Sequence, residues 1–278
     1  MLAKETNFCI IIPCYERHAL KLLELIYKIQ VYQLPVYVVD DGSSEKYQKQ
    51  ISDICLKNGL SLIRQNINQG KGHALKEAFK VAYSDGYTHG IQIDADGQHD
   101  TNEVKELIKL SKKFPRALVS GHPVYDETVP SVRLWGRNLA HLCVWTETLS
   151  FNLVDTMCGL RSYPLKSSLE VIQKYHIGDR MSFDTGIMVK MYWENIESLF
   201  IPVKVIYHEG GDSYFKYFKD NVEIVSMHIT LLLGMLLRIP TLIKFNLKQR
   251  KWYGEEERGS TSLIKFGLTV FDLFGDAA

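Results

Sequence analysis

At 278 residues the chain is long enough for one large domain, or one domain with an appendage. An apolar share of 46% can fill a core, 23% charge is ordinary for a soluble globule, and a formal net charge of +1 excludes any global attraction to nucleic acid. Five cysteines (Cys9, Cys14, Cys55, Cys143, Cys158), scattered and without C-x-x-C spacing, argue against a disulfide framework or a zinc site and fit a reducing cytoplasm.

No charged segment backed by an apolar run follows Met1, so no secretory leader is expected. Phe8 to Ile12 reads as a buried strand, with Pro13-Cys14-Tyr15-Glu16-Arg17 as the loop leaving it. Leu20, Leu23, Ile26 and Ile29 then recur at helical spacing. Val36 to Val39 is a second strand, ending in Asp40-Asp41-Gly42-Ser43-Ser44, and Ser44 opens a helix reaching about Asn58. Leu60 to Ile63 is a third strand and Asn68 to Gly72 a Gly-rich turn. Ala74, Leu75, Ala78, Phe79 and Ala82 mark one face of the next helix, and a strand follows over Gly90 to Ile93. This alternation predicts an α/β fold with a doubly wound, mainly parallel sheet. Its strand-end loops at 13–17, 40–44, 66–72 and 94–100 should then share one crevice.

The second half is less regular. Ser131 to Leu149 reads as helix, Val154 to Tyr163 as a short irregular segment around Cys158-Gly159, Ser182 to Asn195 as helix and Leu199 to Ile206 as strand. Ile224 to Leu237 is an uncharged run broken by Arg238-Ile239-Pro240, too short for a bilayer span of roughly 20 apolar residues. Lys244, Lys248, Arg250 and Lys251 beside Trp252 and Tyr253, then an apolar Leu263 to Phe274, suit an amphipathic tail on an anionic membrane surface, or else a helical cap or a dimer contact. The expected division is a catalytic domain over 1–215, with a nucleotide-binding half (1–100) and an acceptor-side half (101–215), and an amphipathic helical tail over 216–278.

The densest chemistry lies in Ile91-Gln92-Ile93-Asp94-Ala95-Asp96-Gly97-Gln98-His99-Asp100, where an apolar strand runs into two aspartates spaced one apart. Two carboxylates turned to one point repel unless a cation lies between them, and hard divalent ions favour such oxygens and share them with phosphate. The plain alternative is a turn with solvated acids. Gly70-Lys71-Gly72 lets backbone and an ammonium approach a phosphate, although the P-loop spacing is absent.

Taken together, Ile-Ile-Pro-Cys-Tyr-Glu, Val-Val-Asp-Asp-Gly-Ser-Ser, Asn-Gln-Gly-Lys-Gly and Asp-Ala-Asp-Gly-Gln-His, in this order, resemble the family-2 glycosyltransferases of GT-A fold, particularly the branch like dolichyl-phosphate mannosyltransferase. The resemblance covers roughly residues 8–210. It implies an inverting transfer of a sugar from a UDP- or GDP-sugar, assisted by Mg²⁺ or Mn²⁺, to an acceptor such as a polyprenyl phosphate or another lipid-linked group. By position it gives Pro13, Tyr15, Glu16 and Asp41 to the nucleoside, Lys71 to the diphosphate, and Asp94, Asp96 and Gln98 to the metal and diphosphate. Arg161, in Cys158-Gly159-Leu160-Arg161, resembles the acceptor-side Gly-Phe-Arg segment and implies a phosphate contact, an ion pair within the fold being the alternative. Phe183-Asp184-Thr185-Gly186 resembles a Phe-Asp-Thr-Glu segment, with Gly186 where an acid is usual; Asp184 or Asp155 remains as a base for an acceptor hydroxyl. His208 to Phe215 resembles a loop that closes over the phosphates, and the following run is similar to tails of bacterial members. A GT-A-like binding protein without turnover is the competing expectation. A nucleotidyltransferase is disfavoured, because its G-x-G-x-R loop is replaced by Pro-Cys-Tyr-Glu.

Overall fold

The structure is a computed structural model that describes residues 6–124, 131–204 and 217–256, with side chains over 6–124, 137–204 and 218–249. Among the described residues seven strands form one sheet in the order β3-β2-β1-β4-β6-β5-β7. These are β1 (Phe8–Cys14), β2 (Val36–Asp40), β3 (Ser61–Arg64), β4 (His89–Gln92), β5 (Leu118–Val124), β6 (Arg161–Pro164) and β7 (Ser198–Lys204). Only β6 runs antiparallel to its neighbours β4 and β5. The carboxyl ends of the other six therefore meet at one edge, and β6 begins there.

Every residue of β1 is buried, because helices cover both faces of the sheet. Phe8, Ile10, Ile12 and Cys14 pack against α1 (Ala19–Ile29), α2 (Glu45–Asn58) and α4 (Val104–Lys113). Cys9 and Ile11 join the opposite core, built from α3 (Lys71–Ser84), α6 (Leu165–Lys174) and α7 (Phe183–Trp193), with Val144 of α5 (Ser131–Thr148). Ten of the eleven residues of α7 are buried, so it has no polar stripe and forms the centre of that layer.

The first half follows the expected alternation, with β1 running on through Pro13 to Cys14, where it still pairs with Asp40 of β2. The second half adds elements that the apolar pattern does not announce: α4, β5, α6, and β6 within the stretch expected to be irregular. β6 has four residues, and two of them, Arg161 and Ser162, are polar yet fully buried. Such a strand carries neither an apolar run nor alternation. It is specified by its register instead, with Arg161 opposite Gln92 and Ser162 opposite Ile91.

After the second described gap come α8 (Tyr217–Leu236) and α9 (Ile239–Glu256), bent by 86° at the break around Arg238. α8 is not a loose appendage. Leu231 and Met235 enter the core beside Trp193, as does Leu242 of α9, and Ser182 donates to Glu223. Among the described residues no single helix is long and apolar enough to cross a membrane, although the bent pair meets that test of length and composition together. Residues 263–274, expected to be a further apolar segment, lie outside the described residues.

Candidate active site at the carboxyl edge of the sheet

The strand-end loops are tied to one another by their own acids. Glu16, at φ 50°, accepts from the Ser44 amide (2.8 Å) and the Ser44 hydroxyl (3.0 Å), and its own N–H donates to Ser43 Oγ (2.9 Å). That clamps Tyr15 and Glu16, just past β1, onto the loop after β2, while Pro13, expected in the loop, is the last but one residue of β1 and pairs with Val39. Asp41 is buried and joins the loop after β2 to the Gly-rich turn. Its Oδ1 accepts from Gln69 N–H (2.8 Å), and its Oδ2 from Gly70 N–H (2.8 Å) and Asn68 Nδ2 (2.9 Å). Burial raises the Asp41 pKa, and the Gln69 and Gly70 amides offset that in part. The turn is capped from above by Arg180, which donates to Asn68 Oδ1 and to its carbonyl. Gly70 sits at φ 107° with its α-carbon against Arg180 and the Asp179 carbonyl, where a Cβ would come within 2.5 Å of both.

At the centre lies Lys71, the first residue of α3. Its ammonium donates to Asp94 Oδ2 and Asp184 Oδ2, each at 2.9 Å. Burial disfavours the charge, but the two carboxylates outweigh it and hold the ammonium charged well above the ordinary lysine range. Asp94 feels the converse: burial would raise its pKa, and Lys71 brings it below the usual value. Its Oδ1 accepts from Gln92 Nε2 (3.0 Å). Gly159 lies directly against this carboxylate, since a Cβ there would fall 1.9 Å from Asp94 Oδ2. Arg161, wholly buried, donates through Nη1 to the Asp184 carbonyl (2.9 Å) and to Tyr163 Oη (3.2 Å), 3.5 Å from Asp184 Oδ1. Its Nε and Nη2 and the Asp184 Oδ1 have no hydrogen-bond partner.

The structure thus brings Lys71, Asp94, Asp184 and Arg161, each singled out separately in the sequence, into one cluster. Asp96 stands beside it on the 94–100 loop, with Oδ1 accepting from Gln98 N–H (3.0 Å) and its carbonyl accepting from Lys21 Nζ (2.8 Å). Asp155 is engaged differently. Its Oδ1 accepts from Met157 and Cys158 N–H (2.8 and 2.7 Å), and its Oδ2 is ion-paired with Arg137. That carboxylate shapes the turn leading to Gly159. Gly186 faces away from the cluster: a Cβ there would meet Met227 of α8 at 3.6 Å, in ordinary contact. An acid at 186 would not share the direction of Asp184.

His99 and Gln92 carry no assignment in the sequence reading. Burial holds the His99 imidazole below its usual pKa against the pull of Asp94 and Asp96, and its Nδ1 is unpartnered. Gln92, a fully buried polar residue at the end of a central strand, was visible as a break in the apolar pattern. The loop at 208–215 lies outside the described residues.

Asp94 and Asp96 offer only carboxylate oxygens, the donor set of Mg²⁺ or Mn²⁺. Among the described residues no group of three or more His, Cys, Asp or Glu side chains converges for a metal ion. A cation held by these two would complete its shell from phosphate oxygens and water, as Mg²⁺ sites commonly do. The residues present fit such a group.

The model of the family described as Glycosyl transferase family 2 matches residues 9–195. An uncharacterized protein of Methanocaldococcus jannaschii is 27% identical over 214 residues, which cover 73% of this chain and 90% of that protein. The UDP-N-acetylglucosamine–dolichyl-phosphate N-acetylglucosaminyltransferase of Methanococcus voltae is 23% identical over 218 residues, covering 72% of this chain and 86% of that enzyme. Among solved structures, glucosyl-3-phosphoglycerate synthase of Mycobacterium tuberculosis with Mn²⁺, UDP-glucose and phosphoglyceric acid superposes with a TM-score of 0.58 at 12% identity, over 83% of this chain and 79% of that one. At that identity the likeness is one of fold.

Proposed function

The chain belongs to glycosyl transferase family 2, with the GT-A fold, and from that premise we propose that it moves a sugar from a UDP- or GDP-sugar to a lipid-linked or polyprenyl-phosphate acceptor at the cytoplasmic face of a membrane. The observation that carries the donor side is the Lys71–Asp94–Asp184 contact beside Asp96, which concentrates opposite charges at the one edge where an open α/β sheet binds ligands.

Asp94 and Asp96 would hold Mg²⁺ or Mn²⁺, which when bound neutralises charge on the leaving nucleoside diphosphate. Lys71 would add its own charge, already oriented by Asp94 and Asp184, so little reorganisation is needed as the leaving group departs. The unpartnered Nε and Nη2 of Arg161 suit an anionic group of donor or acceptor. Asp184, with Oδ1 unpartnered, is the better placed base for an acceptor hydroxyl, whereas the Asp155 oxygens are taken by amides and Arg137. An acceptor that is already a phosphate anion needs no strong base. Attack from the face opposite the diphosphate inverts the anomeric carbon.

The membrane side of the proposal rests on α8. Val222, Val225, Ile229, Leu233 and Leu236 are each more than half exposed and recur every three or four residues along one face. A stripe of this kind, with exposed Lys219 at the start of α8 and exposed Lys244 and Lys248 on α9, suits an anionic lipid surface in both apolarity and charge.

Titration calorimetry with UDP and GDP, each with and without Mn²⁺, tests the donor site. Metal-dependent binding of one nucleotide, lost in Asp96→Ala, is expected. Binding of neither would overturn the reading. Tight nucleotide binding with no sugar transfer to any lipid-linked acceptor would leave a binding protein without turnover.

A further inference from the structure

We propose that Gln65 reads the base of the donor nucleotide, an assignment that rests on the nucleotide-sugar reading above. β3 ends at Arg64, which lies in register with Asp40. The ladder continues one step, with Gln65 N–H donating to the Asp40 carbonyl at 2.9 Å, so Gln65 stands beside Asp41 at the carboxyl edge. The inner pair turns to one face of the sheet: Arg64 Nε meets Asp40 Oδ2 at 3.1 Å and Nη2 bonds Ser52 of α2. Side chains alternate along extended chain, so Asp41 and Gln65 turn together to the other face, where Asp41 meets the Gly-rich turn.

Gln65 is 7% exposed, and neither Oε1 nor Nε2 has a hydrogen-bond partner. A buried amide with both ends unmet is costly and uncommon, and one lying at a ligand-binding edge marks a place the ligand completes. Asp41 narrows the chemistry. Its carboxylate already takes three N–H donors, leaving room for about one more. The pair thus presents one anionic acceptor next to an amide that both donates and accepts. Uracil (N3–H beside O4) and guanine (N1–H beside O6) offer the matching N–H and carbonyl. Cytosine and adenine put a bare ring nitrogen where the carboxylate requires a donor. The ligand class is therefore a nucleoside diphosphate whose base carries an imide or lactam edge.

The test measures binding of UDP, GDP, CDP and ADP with Mn²⁺, and of manganese pyrophosphate as a probe without a base, to wild type and Gln65→Met, which keeps length and removes polarity. Wild type should favour UDP or GDP over CDP and ADP. Gln65→Met should lose about tenfold in affinity for the favoured nucleotide, leave pyrophosphate unchanged, and melt at a higher temperature when ligand-free because an unmet buried amide is gone. Equal binding of the favoured nucleotide by variant and wild type overturns the assignment, and so does an equal loss for nucleotide and pyrophosphate. Failure of wild type to bind any nucleotide instead overturns the donor-site reading beneath it.

Discussion

The carboxyl edge of the sheet and the outer face of α8 are both incomplete, in opposite ways. At the edge nearly every charge has found a counter-charge or an amide: Asp40 with Arg64, Lys71 with Asp94 and Asp184, Asp41 with three N–H groups. What is left over is polar and buried, among it the Gln65 amide, two guanidinium nitrogens of Arg161, one oxygen each of Asp184 and Gln92, and Nδ1 of His99. On α8 Glu223 and His228 are paired with Ser182 and Glu147, and what is left over on its outer face is apolar and exposed. A rigid frame of paired charges suits a ligand that brings its own hydrogen bonds and charge. A bare apolar stripe suits something that brings none.

The largest effect should come from the edge. Asp96→Ala removes one carboxylate oxygen donor without touching the Lys71 cluster, and should slow sugar transfer on the order of a thousandfold, about 4 kcal/mol of barrier. Its melting temperature should stay near wild type, because Asp96 is half-buried and gives up one local hydrogen bond with Gln98 N–H. Transfer rates with UDP- and GDP-sugars, read beside thermal melts, check both halves. A large fall in stability would mean that Asp96 holds the loop rather than the diphosphate.

Gly159→Ala attacks the same edge from behind. The added carbon would overlap Asp94 Oδ2, so the carboxylate must move and its contact with Lys71 stretch or break. Overpacking of this kind costs about 2 kcal/mol of stability. Denaturant titration gives that cost, and Mn²⁺-dependent nucleotide binding should weaken in parallel. Unchanged binding would show that the position of Asp94 is not what the donor feels.

A smaller effect is expected on α8. Ile229→Glu with Leu233→Glu puts two carboxylates on neighbouring turns of the exposed stripe, at side chains 55% and 60% exposed. Stability should change by less than about 0.5 kcal/mol, since neither residue supports the core. Sedimentation with anionic vesicles should fall at least about tenfold from lost apolar contact and added repulsion. Wild-type protein that ignores vesicles but dimerises, with the double variant monomeric, would assign the stripe to a second copy of the chain.

The two regions also differ in how they could be read from sequence. Strands β1 to β4 and their loops were legible because apolar runs alternate with Gly, Asp and Ser turns, and a doubly wound sheet must bring such loops to one edge. The contact between Lys71 and Asp184 spans 113 residues and exists only through the packing of α3 on α7. β6 escaped because its outward signal is inverted, with a buried arginine where a strand would show an apolar residue. The engagement of Asp155 was in principle visible, since an aspartate capping the amides two and three residues on is ordinary turn chemistry, but spacing alone does not separate that from a base. On α8 the uncharged run was plain, yet which side faces out depended on Leu231 and Met235 being drawn inward beside Trp193.

The smallest predicted effect falls where the two regions meet. Gly186 lies on α7 two residues after Asp184, and its open side faces Met227 of α8. A methyl group there meets Met227 Sδ at 3.6 Å and Ile177 Cγ2 at 3.9 Å, within ordinary contact distance, so it fits without displacement. Replacing a mid-helix glycine by alanine limits the freedom of the unfolded chain, and Gly186→Ala should stabilise the fold by about 0.5–1 kcal/mol. Nucleotide binding and transfer should be unaffected, because Asp184 keeps its contacts with Lys71 and Arg161 on the other side of the helix. A gain in stability with unchanged transfer would confirm that 186 belongs to the α8 packing and not to the catalytic edge. A fall in transfer at unchanged stability would mean that α7 shifts toward α8 during turnover and needs the space the glycine leaves, and the charged edge and the apolar stripe would then act as one mechanical unit.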